Sequence, residues 1–228
     1  TRTSPRHLVA SDIQNSWSDP GVSFEDPQSM SSDYKPRRIV VAGGGTAGWM
    51  TAAALAKTMG DAIDLTLVES DAIGTVGVGE ATIPPLINFN RLLGINEAEF
   101  MRETQATFKL GIEFENWERD GGKYFHSIGS PGREHWSAGF QHFWGEGLLR
   151  GHDYSYDDYC LELCAAYAGK FAHLPDNRLN YAYHLNATAY AAFLRRIAEG
   201  AGASRVEGKI AHVELDGESG NIAAIGLE

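Results

Sequence analysis

The chain has 228 residues, 43% of them hydrophobic and 21% charged, and a formal net charge of −11. That length suits one large domain or two small ones with a real core, and the acid excess leaves no basic stripe to neutralise nucleic-acid phosphates. No apolar run approaches the roughly twenty residues of a membrane span, and none forms the core of a secretory signal. A cytoplasmic protein with neither nucleic-acid nor membrane partners is therefore expected.

Residues 1–29 are rich in Ser, Asp, Pro and Arg, lack periodicity and begin with Thr. Met30 has the look of a natural start, so 1–29 are expected to be a disordered or appended tail and 30–228 the folded part. Four apolar residues, 39–42, then predict a short buried strand. Glycines at 43, 45 and 48 follow as G-x-G-x-x-G, and an Ala-rich run predicts a helix over about 48–59. A dinucleotide pyrophosphate needs this combination. Gly43 permits a tight turn, Gly45 lets the backbone approach the phosphates, and Gly48 lets the helix pack on the strand. The helix N-terminus offers free N–H groups and a partial positive charge to the anion. A second strand, 63–68, ends in Glu69, about twenty residues on, where an acid can hold ribose hydroxyls.

The segment from Ile73 to the prolines at 84 and 85 alternates Gly and Val too densely for a helix and predicts an extended strap with close backbone contacts. A helix is expected over 96–105. Residues 108–114 alternate strictly, predicting one half-buried strand with Phe108, Leu110, Ile112 and Phe114 inward and Lys109 on the polar face. The region 117–183 is dense in aromatics, Gly and His with weak periodicity, and its His spacings match no zinc signature, so packing rather than a metal is expected. Cys160 and Cys164, four apart, predict buried free thiols, because a disulfide within one helical turn is geometrically poor. Asn186 should cap an amphipathic helix ending near Gly200 and Gly202, and two strands, 205–215 and 221–227, should form a closing hairpin. The fold class is α/β with an inserted aromatic-rich helical region.

With these residues in view, the chain from about residue 38 onward resembles the N-terminal part of a flavin-dependent halogenase of the tryptophan halogenase family. The resemblance rests on Gly-Gly-Gly-Thr-Ala-Gly-Trp at 43–49, Gly-Val-Gly-Glu-Ala-Thr-Ile-Pro at 77–84, Phe-Lys at 108–109 ahead of Phe-Glu-Asn-Trp at 114–117, and Tyr-His at 183–184. It implies a Rossmann-like FAD-binding fold of the flavin monooxygenase type, incomplete at the C-terminus. It also implies an enzyme that uses FADH2 from a separate NAD(P)H-dependent flavin reductase, together with O2 and chloride or bromide, to make a hypohalous acid. That acid reaches a lysine, here Lys109, beside a small electron-rich aromatic substrate of indole type. The lysine can act as an ammonium that polarises HOX or as an amine that forms a haloamine, and both need shielding from bulk water.

By the same resemblance, Gly43, Gly44, Gly45, Thr46, Ala47, Gly48, Trp49, Glu69 and Ser70 hold the cofactor. Ile73, Val76, Val78 and Ala81 of the strap lie against the flavin, and Ile210 touches the adenine through its main chain. His126 and Ile128 match the substrate wall. Ile128 stands where the family has an aromatic, which costs offset stacking worth about 0.5–1.5 kcal/mol and implies weaker binding of tryptophan than of a plain indole or phenol. The Trp-x-Trp-x-Ile-Pro motif, further flavin contacts and the glutamate that partners the lysine are not in these 228 residues, so this chain alone is expected to be inactive. An aromatic hydroxylase and a non-catalytic FAD-binding fragment are the competing readings.

Overall fold

The computed structural model describes residues 37–74, 77, 79–175 and 178–228. The expected tail 1–29 and the strap residues Val76 and Val78 lie outside them. In chain order the elements are β1 (Arg37–Ala42), α1 (Thr46–Met59), β2 (Ile63–Glu69), β3 (Glu80–Ala81), α2 (Pro85–Leu92) and α3 (Glu97–Thr104). There follow β4 (Thr107–Lys109), β5 (Gly111–Glu115), β6 (Lys123–Ser127), α4 (Phe140–Leu149) and α5 (Leu161–Tyr167). The chain closes with β7 (Ala182–Leu185), α6 (Ala187–Gly200), β8 (Ser204–Glu207), β9 (Ile210–Leu215) and β10 (Ile222–Leu227).

Three strands form a parallel sheet in the order β1-β2-β8. Parallel neighbours need crossovers, and α1 and α6 supply them. Helix α1 buries Trp49, Ala52, Ala53 and Ala56, and α6 buries Tyr190, Phe193, Leu194 and Ala198. The small alanines let the two helices lie close together over Leu65 and Leu67 of β2. Each large apolar side chain sealed here stabilises the fold by about 1.5–3 kcal/mol. Phe100 of α3 is fully buried and meets Tyr183 and Tyr190 edge-on, with ring centroids 4.9 and 5.4 Å apart, which joins β7 to the same core. The Asn186 side chain accepts from the Ala189 N–H at 3.0 Å, capping α6 as its sequence predicts.

Four expectations need correction. Residues 39–42 are not a fully buried strand, because Val40 is 54% exposed and β1 packs on one face only. Residues 108–114 do not form one strand: the chain breaks at Leu110, so that β4 pairs with β7 while β5 pairs with β6. That break reverses the expected faces, with Lys109 buried and Ile112 exposed. The last long strand also divides, β8 joining the parallel sheet and β9 turning into the hairpin with β10. Finally, both cysteines are free, but Cys164 is exposed on α5 while Cys160 is buried at its N-cap. The helix α2 was not foreseen, although Pro85 at its first position is a recognised start signal.

Candidate functional site

The C-terminal ends of β1 and β2 and the start of α1 surround a cavity of about 500 Å³. It lies in the crevice beyond the carboxyl ends of parallel strands, where open α/β sheets bind ligands. Gly43, Gly44, Gly45, Thr46 and Ala47 line one side, and Glu69 and Ser70 line another. Val68 of β2, Ile73, Gly74, Gly77 and Glu80 of the strap, Gly208 between β8 and β9, and Ile210 at the start of β9 complete it.

Backbone geometry explains the glycines. Gly43 has φ +113°, which side-chain-bearing residues rarely adopt, and its N–H donates to the Val68 carbonyl at 2.8 Å. A Cβ added at Gly48 would run into the Gly43 carbonyl oxygen and lie 3.8 Å from Leu67 Cδ1, so this residue sets how tightly turn, helix and strand pack. A Cβ at Gly45 would meet nothing within 4 Å, which leaves the cavity wall open there. Gly45 is also the N-cap of α1; it offers no side-chain cap, and no acid lies in the first turn. The N–H groups of that turn and the positive end of the helix dipole thus remain for an anion.

Glu69 is held at both oxygens. Trp49 Nε1 donates to Oε2 at 3.2 Å and Arg205 Nε donates to Oε1 at 2.6 Å. The carboxylate lies against Gly44, where an added Cβ would overlap it. Trp49 itself is 2% exposed and belongs to the core, reaching the cavity only through Glu69. Arg205 had no sequence signal beyond being a basic residue on a strand; only the pairing of β8 with β2 brings it to Glu69.

Lys109 stands apart from this cavity. It ends β4 opposite Ala182 of β7, is 4% exposed, and its Nζ donates to the Thr82 carbonyl at 3.0 Å. Burial pushes its pKa below the ordinary lysine range. Thr82 is fastened in turn to β7, its N–H donating to the Tyr183 carbonyl at 2.8 Å and its Oγ1 accepting from the Tyr183 N–H at 2.9 Å. Ala81 pairs with His184 and lies at this end of the strap, not in the cavity. The His184 imidazole is held below its usual range, by burial first and by the Lys109 charge second. The strap thus runs from the glycine cavity, at Ile73 and Gly77, to the lysine, at Thr82.

His126 and Ile128 belong to the neighbouring ribbon. His126 pairs with Ile112, and the Ile128 N–H donates to the carbonyl of Leu110, the residue after Lys109, at 3.0 Å. Beneath them Glu162, 2% exposed, accepts from the Asn180 backbone N–H at 2.7 Å and fills the space a Cβ on Gly129 would need. No cluster of three or more His, Cys, Asp or Glu among the described residues is arranged to hold a metal.

The model of the tryptophan halogenase family matches residues 38–228. The chain belongs to the tryptophan halogenase family. A flavin-dependent halogenase from Xanthomonas campestris superposes with a TM-score of 0.81 at 60% identity, covering 85% of this chain and 39% of that one. A second, from Brevundimonas sp. BAL3, gives a TM-score of 0.76 at 38% identity over 86% of this chain and 40% of its own. In sequence, the tryptophan 7-halogenase RebH of Lentzea aerocolonigenes is 38% identical over 207 residues, which is 82% of this chain and 39% of the relative. The chain therefore spans about two fifths of the length of these halogenases. The fold is the Rossmann-like α/β fold of flavin-dependent halogenases, present here in its N-terminal part.

Proposed function

We propose that the protein to which this halogenase chain belongs carries out FADH2- and O2-dependent halogenation of an electron-rich aromatic substrate of indole type, with HOX delivered to Lys109. The observation that carries this reading is the buried Lys109, tied to Thr82 at the far end of a strap that begins in the glycine-lined cavity.

The cavity suits the adenosine-diphosphate half of FAD. Uncapped N–H groups at Thr46 and Ala47 match a pyrophosphate, Glu69 matches a vicinal diol, and Ile210 offers main chain for a base. When bound, reduced flavin delivered afresh for each turnover by a separate reductase would supply the oxygen activation that turns chloride or bromide into hypohalous acid. Lys109 then does the aiming. One Nζ hydrogen is committed to Thr82, which fixes the group's direction. Its remaining donors can polarise HOX, and its depressed pKa also favours the neutral amine whose lone pair would take the halogen. Shielding from bulk water serves either route.

The test is an assay of the purified protein with FAD, an NADH-driven flavin reductase, air, bromide or chloride, and tryptophan or indole. A halogenated product that needs halide and reduced flavin is expected. A hydroxylated product formed without halide would replace this reading with a hydroxylase, and stoichiometric FAD binding without any product would replace it with a cofactor-binding role.

The aliphatic Ile128 supports a preference for simple indoles over tryptophan. Restoring an aromatic with Ile128→Phe is expected to tighten tryptophan binding by about 0.5–1.5 kcal/mol, read as a fall in KM relative to indole. Tryptophan binding as tight as indole binding before substitution would rule the argument out.

A further inference from the structure

We propose that Arg205 is a positioning residue for the cofactor's adenosine ribose, holding the Glu69 carboxylate across Gly44 and into the cavity without touching the ligand. This rests on the flavin reading above. The two residues sit on adjacent parallel strands, Leu67 pairing with Arg205 and Glu69 with Glu207. Glu69 lines the cavity, while Arg205 does not.

Arg205 is itself clamped. Its side chain is 13% exposed, and its Nη2 donates at 2.6 Å to both Asp71 Oδ1 and Glu207 Oε2 while its Nε reaches Glu69. Only a planar fork serves acceptors on both sides in this way. The neighbouring charges are Asp71 after β2, Glu207 on β8, and Arg195 on α6, whose Nη1 lies 3.8 Å from Glu69 Oε1 and which is paired with Glu199. Arg205 thus stands among three carboxylates, with Arg195 the second cation.

The consequence for a ribose follows from counting acceptors. Each carboxylate oxygen has two lone pairs. Arg205 uses one on Oε1 and Trp49 one on Oε2, so each oxygen keeps one for a hydroxyl of a vicinal diol. A rotated Glu69 loses this two-point match. Without Arg205, the charges of Asp71 and Glu207 would push the Glu69 carboxylate away from this position.

The experiment compares ADP with 2′-deoxy-ADP as competitors for FAD binding, followed by flavin fluorescence. The unsubstituted protein should prefer ADP. Arg205→Met should weaken ADP by roughly tenfold, the scale of a lost charge-assisted contact, and leave 2′-deoxy-ADP far less affected. In a double variant with Glu69→Gln, the loss should be no larger than that of Glu69→Gln alone, since Arg205 acts through Glu69. Equal losses for both nucleotides, or additive losses in the double variant, would overturn the proposal. Should Arg205→Met fail to fold, Arg205→Lys, which keeps the charge but not the fork, carries the same comparison. Failure of the unsubstituted protein to bind FAD would instead overturn the flavin reading, a result distinct from all of these.

Discussion

Lys109→Ala is expected to cut halogenation by about 10²–10⁴-fold, the usual contribution of a positioned proton-transfer group, while FAD binding stays intact. The lysine is separate from the glycine cavity, meeting it only through the strap, so its loss should not disturb the nucleotide. Removing a buried ammonium also removes a desolvated charge, so no large loss of stability is expected. Lys109→Met, which keeps the apolar stem, should be equally inactive and controls for packing. Retained product formation in both variants would sink the role assigned to Lys109 and favour a hydroxylase. The pH profile then separates the two forms of the lysine. Because burial lowers its pKa, the neutral amine is gained at a lower pH than for a free lysine. If the amine works, kcat rises with pH through that depressed pKa; if the ammonium works, kcat falls through it.

The second large effect is expected at Gly48. An added methyl would collide with the Gly43 carbonyl, a backbone atom held by the turn and its bond to Val68. Gly48→Ala should therefore cost about 1–3 kcal/mol, as overpacking does, and lower Tm by roughly 2–12 °C. FAD affinity should fall with it, since relief of the collision moves the turn that lines the cavity. Gly45→Ala makes the instructive contrast. Its Cβ has open space, so thermal unfolding should be unchanged, yet the methyl takes room in the cavity wall and should weaken FAD. Equal Tm values for the two variants would show that Gly48 does not set the approach of α1 to the turn.

These two sites differ in how far their sequence declares them. The glycine turn is local. Strand, Gly turn, helix and acidic strand end lie within some thirty residues, and Gly43 and Gly48 answer to neighbours along the chain or on the next strand. The Asn186 cap and the closing hairpin were equally legible, because a cap and a turn are decided by residues three or four positions apart. Lys109 was found by resemblance to a family motif, and its local pattern pointed the wrong way. Strict alternation put it on a solvated face, whereas the break at Leu110 sends β4 and β5 to different partners and turns the lysine inward.

What the sequence determined by itself was the glycine turn with its flanking strands and the helices that frame it, where short-range backbone geometry leaves few alternatives. Tertiary structure alone decided the burial of Lys109 against Thr82, 27 residues away, and the clamp of Arg205 on Glu69, 136 residues away. Both depend on which strands become neighbours. Strand pairing is fixed by burial of the whole core, so no window of adjacent residues contains it.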